Sequence, residues 1–168
     1  MRKHLFAAVL ILYTGVFSYA QTPELSLDPG VKPHAGIDEI YRDFSDSYRT
    51  LNFDKLAGLY TENAAYLVPD EEVMTGRDNI RGSFRGFFES MKAESRSMAI
   101  AFRIVQRRAG KDLGYDVGIF TLRMYKDGKQ TSSGQGKLVV VTVQDKDGKW
   151  RFQVDGYSDL KPPKPPAN

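Results

Sequence analysis

Apolar residues follow two different spacings along the chain, and the change falls near residue 98. Ile37, Ile40, Tyr41, Phe44, Tyr48 and Leu51 fall at i, i+3, i+4, i+7, i+11 and i+14. That is one face of a helix of about four turns. Asp38 and Glu39 stand in its first turn, where the helix dipole favours anions. Asn52 is placed to cap a second, shorter helix carrying Leu56, Leu59 and Tyr60. Residues 64–68 read as a short strand stopped by Pro69. After a polar loop, Thr75-Gly76 leads into a third helix, with Ile80, Phe84, Phe87, Phe88 and Met91 along one side. The other side carries Asn79, Gly82, Ser83, Gly86 and Ser90. Two glycines inside a helix cost about 1 kcal/mol each relative to alanine, so a close approach by another backbone is expected there.

From Met98 onward the period is two. Residues 99–108, 113–125, 130–144 and 150–159 read as four long strands. Asp127-Gly128 and Asp147-Gly148 are hairpin turn signals, and residues 109–112 make the remaining turn. Three helices with a short strand, followed by an antiparallel meander, define an α+β domain. A strongly curved sheet wrapped around the helices would bury both sets of apolar faces.

The ends do not share this patterning. Arg2, Lys3 and His4 precede an apolar run from Leu5 to Phe17, and Ser18-Tyr19-Ala20 supplies small residues at its end. Residues 1–20 read as a secretory signal cleaved near Ala20, which predicts an exported, periplasmic or extracellular protein. The apolar run falls short of the roughly 20 residues a membrane span needs, and no cysteine follows it to carry lipid, so no stable membrane anchor is expected. Residues 21–35, with Pro23, Pro29, Gly30 and Pro33, read as a flexible linker. Residues 161–168 read as a Pro-rich disordered tail. The folded domain is predicted over residues 36–160.

Composition narrows the chemistry. Cysteine is absent from the 168 residues, which removes thiol nucleophiles, zinc fingers and Cys-ligated clusters. The two histidines, His4 and His34, lie outside the predicted core, so a Ser–His–Asp triad is excluded. The formal net charge of +3 falls to +1 when Arg2 and Lys3 leave with the signal. Arg77, Arg81, Arg85, Arg103, Arg107, Arg108 and Lys111 are interrupted by Glu89, Glu94, Asp112 and Asp116. They read as a solvated surface, and no nucleic-acid partner is predicted. No cofactor or metal is predicted either: Asp145 and Asp147 fit a hairpin turn, and Asp70-Glu71-Glu72 fits a solvated loop. Ser132-Ser133-Gly134-Gln135-Gly136-Lys137 precedes a strand rather than a helix, so its glycines are expected to mark a bulge or a bend, not a phosphate loop.

Three stretches carry a family resemblance. The run from Asn52 to Ala64 is similar to "n-x-D-x-l-x-x-l-y-t-x-d-a". Met74-Thr75-Gly76-Arg77-Asp78-Asn79-Ile80 is similar to "x-x-G-r-x-x-I". Gly136-Lys137 through Gly148-Lys149-Trp150-Arg151-Phe152 and Asp155 is similar to "G-k … d-G-x-W-r-i-x-x-d". In this order they resemble the NTF2-like superfamily, and within it the SnoaL-like and DUF4440 group, over about residues 37–159. The resemblance implies a cone of three N-terminal helices on a curved antiparallel sheet, enclosing a pocket and often dimerising through the sheet.

The superfamily includes isomerases and cyclases, so their acid/base positions can be tested. Those of ketosteroid isomerase fall on Phe44, Val68 and Leu138 or Val139, which cannot transfer a proton; the cyclases' histidine is missing from the core. No catalytic set is assigned. Asp70, with Tyr48 or Tyr66, is the remaining acid/base candidate for an isomerase- or cyclase-like enzyme. The leading expectation is a domain that binds a small, largely apolar ligand with Phe44, Tyr48, Tyr66, Val68 and Phe84, and/or serves through its sheet as a dimeric interaction module. Filling of the cone by these rings, or a pure assembly domain, are the alternatives. Gln153, Asp155 and Tyr157 are expected on a homodimer face, because Asp155 and Tyr157 alternate away from Trp150, Phe152 and Val154.

Overall fold

The computed structural model describes residues 24–160. The predicted signal (1–20) and tail (161–168) lie outside the described residues. The elements run β1 (Leu25–Leu27), α1 (Ala35–Thr50), α2 (Phe53–Ala57), β2 (Tyr60–Leu67), β3 (Met74–Thr75), α3 (Arg77–Ala93), β4 (Arg96–Ala109), β5 (Leu113–Lys126), β6 (Lys129–Gln144) and β7 (Trp150–Asp159). The fold is α+β: three helices pack on one curved, seven-stranded sheet of order β1-β4-β5-β6-β7-β2-β3. Helix–sheet packing buries Tyr41, Phe44 and Tyr48 of α1 and Phe84 and Phe88 of α3 against Phe102, Leu138, Val140 and Phe152 of the sheet. Among the described residues no helix is long and apolar enough to cross a membrane.

Local chemistry explains the helix ends. The Asn52 side chain accepts a hydrogen bond from the Lys55 N–H at 2.9 Å and starts α2. His34 starts α1: its Nδ1 accepts from the Ile37 N–H at 3.3 Å, and its own N–H donates to Asp38 at 3.2 Å. The β5–β6 hairpin has positive φ at both Asp127 and Gly128, as a type I′ turn requires.

Within the segment expected to be a linker, a short strand joins the sheet, while residues 21–23 lie outside the described residues. Leu25–Leu27 pair in parallel with Phe102–Ile104 of β4, and His34 packs edge-on against Trp150. Three residues are too few to show a period, so this strand is invisible until β4 is there to receive it. Strand β3 is hidden from the sequence for the same reason. Tyr60, expected on the second helix, opens β2.

Gly82 and Gly86 stand in open space: a Cβ added at either position would have nothing within 4 Å. The expected backbone approach is absent there because that side of α3 faces solvent. Close approach occurs at Gly36 and Gly136 instead. A Cβ on Gly36 would lie 2.4 Å from the Trp150 ring, and one on Gly136 would lie 2.3 Å from the Phe120 ring. Gly136 is thus a seat for Phe120. The β5–β6 irregularity falls between Met124 and Tyr125, not at the glycines of residues 134 and 136.

Two bulges reset which residues face inward. Between β4 and β5 the register shifts between Ile104 and Gln106, leaving Val105 extra. Between β6 and β7 it shifts after Val141↔Val154 to Thr142↔Phe152, leaving Gln153 extra. A one-residue insertion moves every later side chain to the other face. Arg107 is therefore turned into the interior, and Asp155 and Tyr157 share the inner face with Phe152.

Candidate functional site

A cavity of about 390 Å³ lies between α1, α3 and the inner face of the sheet. Its walls are mostly rings. Phe44 stacks on Tyr48 at 5.2 Å between centroids, Tyr66 on Phe84 at 5.5 Å, and Phe120 meets Tyr157 edge-on at 5.7 Å. Ile100, Leu122, Leu138 and Val140 complete the apolar wall. All five residues expected around a ligand, Phe44, Tyr48, Tyr66, Val68 and Phe84, border this space, and the rings leave it open.

Asp155 is the buried acid of the cavity, at 8% exposure. One carboxylate oxygen accepts a 2.6 Å hydrogen bond from the Tyr60 hydroxyl. Burial pushes its pKa up to about 6, against the opposing pull of the Tyr60 hydrogen bond. At pH 7 it is mostly ionised, with a reserve of the acid form. The surrounding phenols are shifted the same way. Burial raises Tyr48, Tyr60 and Tyr66 well above the usual tyrosine range, and the Asp155 charge adds to each. Tyr157 is raised by burial, against a hydrogen bond with Tyr66. A neutral phenol beside a carboxylate can donate but does not compete for the proton.

Asp155 and Tyr157 are therefore not on the outer face where a dimer contact was expected. Gln153, the bulged residue, is occupied locally with Thr61 and Asn63 of β2. Strict alternation from Trp150 could not reveal this, since no glycine marks the bulge. Asp70 is also displaced from its expected role: it sits exposed in the loop after β2, in the left-handed region at φ 63°. Its neighbour Glu71 borders the cavity instead, with Ser83 and Asp159, where the space meets the surface. Of the positions matched to isomerase chemistry, Phe44, Val68 and Leu138 line the cavity, while Val139 points outward at 54% exposure.

A second buried charged site lies toward the other end of β4 and β5. Arg107, whose side chain is 2% exposed, donates two 2.8 Å hydrogen bonds to Asp116 and one to Asp38. This site ties the first turn of α1 to the sheet. Arg107 and Asp116 were expected at the surface; the Val105 bulge turns Arg107 inward, and Asp116 shares the inner face of β5 with Phe120 and Leu122. The other arginines also hold structure. Arg77 donates to the Tyr60 carbonyl, Arg81 pairs with Asp54, and Arg81 and Arg85 both lie over the Phe53 ring. Arg151 takes both Asp145 and Asp147, which closes the last hairpin.

An α+β fold with an aromatic-walled interior cavity is a scaffold that by itself fixes no single activity. The chain belongs to the SnoaL-like domain family, whose model matches residues 37–158. Among curated proteins no relative matches the chain. Solved structures share the fold at low identity. A candidate calcium/calmodulin dependent protein kinase II association domain from Xanthomonas campestris is 23% identical, with TM-score 0.62 over 83% of this chain and 95% of that one. A ketosteroid isomerase-like protein from Erwinia carotovora atroseptica is 13% identical, with TM-score 0.61 over 76% and 96%. An NTF2-like protein with a cystatin-like fold from Novosphingobium aromaticivorans is 14% identical, with TM-score 0.65 over 77% and 83%.

Proposed function

We propose that this chain is an exported NTF2-like domain that binds a small, largely apolar molecule inside its cone. The observation that carries the reading is the open, ring-lined cavity of about 390 Å³ with a single carboxylate set deep in it. Export, to the periplasm or beyond the cell, rests on residues 1–20 and their cleavage near Ala20. We also propose a homodimer through the sheet, using its outer face. Val117 pairs with Val139 and Val141 with Val154 on that face, whereas Asp155 and Tyr157 are turned away from it. Solved neighbours named as association domains support assembly through this scaffold.

Native mass spectrometry of the mature protein purified from its own host tests both parts. A dimer carrying a small organic adduct is the expected result. A ligand-free monomer overturns the reading.

One observation favours a second reading, an acid/base enzyme of the isomerase or cyclase kind. Asp155 replaces Asp70 as the base in it, because it is the carboxylate buried beside phenols and its pKa lies near 6. Such an enzyme would exchange the α-protons of an enolisable ketone with D₂O, read by proton NMR, and Asp155→Asn would abolish the exchange.

A further inference from the structure

The cavity is one-sided in charge. Its lining includes three carboxylates, Glu71, Asp155 and Asp159, and among the described residues that line it there is no lysine, arginine or histidine. Besides the buried Tyr41 hydroxyl, two polar groups bordering the cavity have no protein hydrogen-bond partner among the described residues. One is Oδ1 of Asp155, since Tyr60 donates to Oδ2. The other is the Tyr48 hydroxyl, which borders the cavity close enough to feel the charge of Asp155 and the Tyr157 phenol. Both residues are more than nine-tenths buried, at 8% and 7% exposure. This oxygen faces the open cavity, where water can serve it, so a ligand that displaces that water must bring a donor of its own. The rings of Phe44, Tyr66, Phe84 and Tyr157 line the same space, and aromatic rings attract cations through their faces. An anionic ligand would find no counter-charge. A neutral apolar one would displace water from Asp155 and leave it unpaired.

Resting on the small-molecule reading above, we propose that the ligand is an organic cation: a protonated amine with an apolar body. Its N–H groups donate to Oδ1 of Asp155 and to the Tyr48 hydroxyl oxygen, and its body lies among the rings. At about 30 Å³ per water molecule, the cavity of about 390 Å³ has the volume of roughly a dozen waters, room for a small aromatic amine. Glu71 and Asp159 at the mouth add attraction for the incoming charge. The groups facing Asp155 are Tyr41 and Tyr48 from α1, Tyr60 and Tyr66 from β2, and its strand neighbour Tyr157. All five are phenols raised above their usual range, so none of them gains a charge between pH 5 and pH 8. Amine binding therefore weakens as pH falls through the titration of Asp155.

The test is calorimetric titration of the mature chain at pH 8 with 4-phenylbutylamine, 4-phenylbutanol and 4-phenylbutyrate. The amine binds about ten-fold or more tighter than the alcohol, and the carboxylate does not bind, as expected for a charge-assisted hydrogen bond. Asp155→Asn brings the amine-to-alcohol ratio close to one while its thermal unfolding shows a folded protein. Should that variant not fold, the wild-type ratio at pH 5 against pH 8 answers the same question, and it must shrink. Equal binding of amine and alcohol at pH 8 overturns the cation assignment and leaves the cavity reading standing. Binding of none of the three by a folded wild-type chain overturns both.

Discussion

Asp116 and Asp155 are both buried acids on the inner face of one sheet, and they are accommodated in opposite ways. Asp116 is 1% exposed, and Arg107 reaches both its oxygens with paired 2.8 Å hydrogen bonds. Asp155 is 8% exposed, holds one neutral donor, and turns its other oxygen to an open space. A satisfied buried charge is architecture; an unsatisfied one beside a cavity is an invitation to a ligand. The contrast separates the end of the core that fastens α1 to the sheet from the end available for function.

The largest way to break the contrast is to remove Arg107. Arg107→Met leaves Asp38 and Asp116 buried without their cation, and should cost about 3–5 kcal/mol of unfolding free energy. Urea titration at pH 7 measures it. A loss under about 1 kcal/mol would show that water already reaches this site.

Next is the pH dependence of stability at Asp155. Its folded pKa of about 6 lies above the ordinary value near 3.9 of an unfolded chain. The group therefore favours folding fully below about pH 4, and that contribution is lost as pH rises through 6. Relative to Asp155→Asn, the wild type should lose on the order of 2 kcal/mol between pH 4 and pH 7. Urea titrations of both proteins across that range read the difference, and parallel profiles would contradict it. Exposed Asp147, held well below its ordinary range by Arg151, works in the opposite direction and is common to both proteins.

The smallest effects come from single hydroxyls. Tyr60→Phe takes away the donor of Asp155 and should cost about 1–3 kcal/mol. Tyr48→Phe removes a hydroxyl that serves no protein group, and should move stability by less than about 0.5 kcal/mol while weakening amine binding. Equal thermal shifts in the two variants would erase the distinction between a structural phenol and a ligand-facing one.

Much of the scaffold can be read directly from residue spacing. Ile37 to Leu51 mark α1, Asn52 marks the start of α2, and the alternation after Met98 marks β4 to β7 within a few residues. These signals are local and repeated, so each is over-determined. The ligand-facing rings Phe44, Tyr48, Tyr66 and Phe84 are legible because they also sit on the apolar faces that packing requires. Three-residue β1 and two-residue β3 carry no period of their own and exist only where β4 and β2 offer free edges. Asp155 and Arg107 fall on the wrong side in a sequence reading because alternation is counted from a fixed origin, and a single inserted residue reverses it.

The sequence alone determined the class of fold, its helices and long strands, the absence of thiol chemistry and the rings that wall the interior. These follow from local periodicity and from which side chains exist. Tertiary structure decided which acids lie inside, which are paired and which face open space. Those properties depend on register between distant strands. The extra residues Val105 and Gln153 are defined only against their partners on β5 and β6.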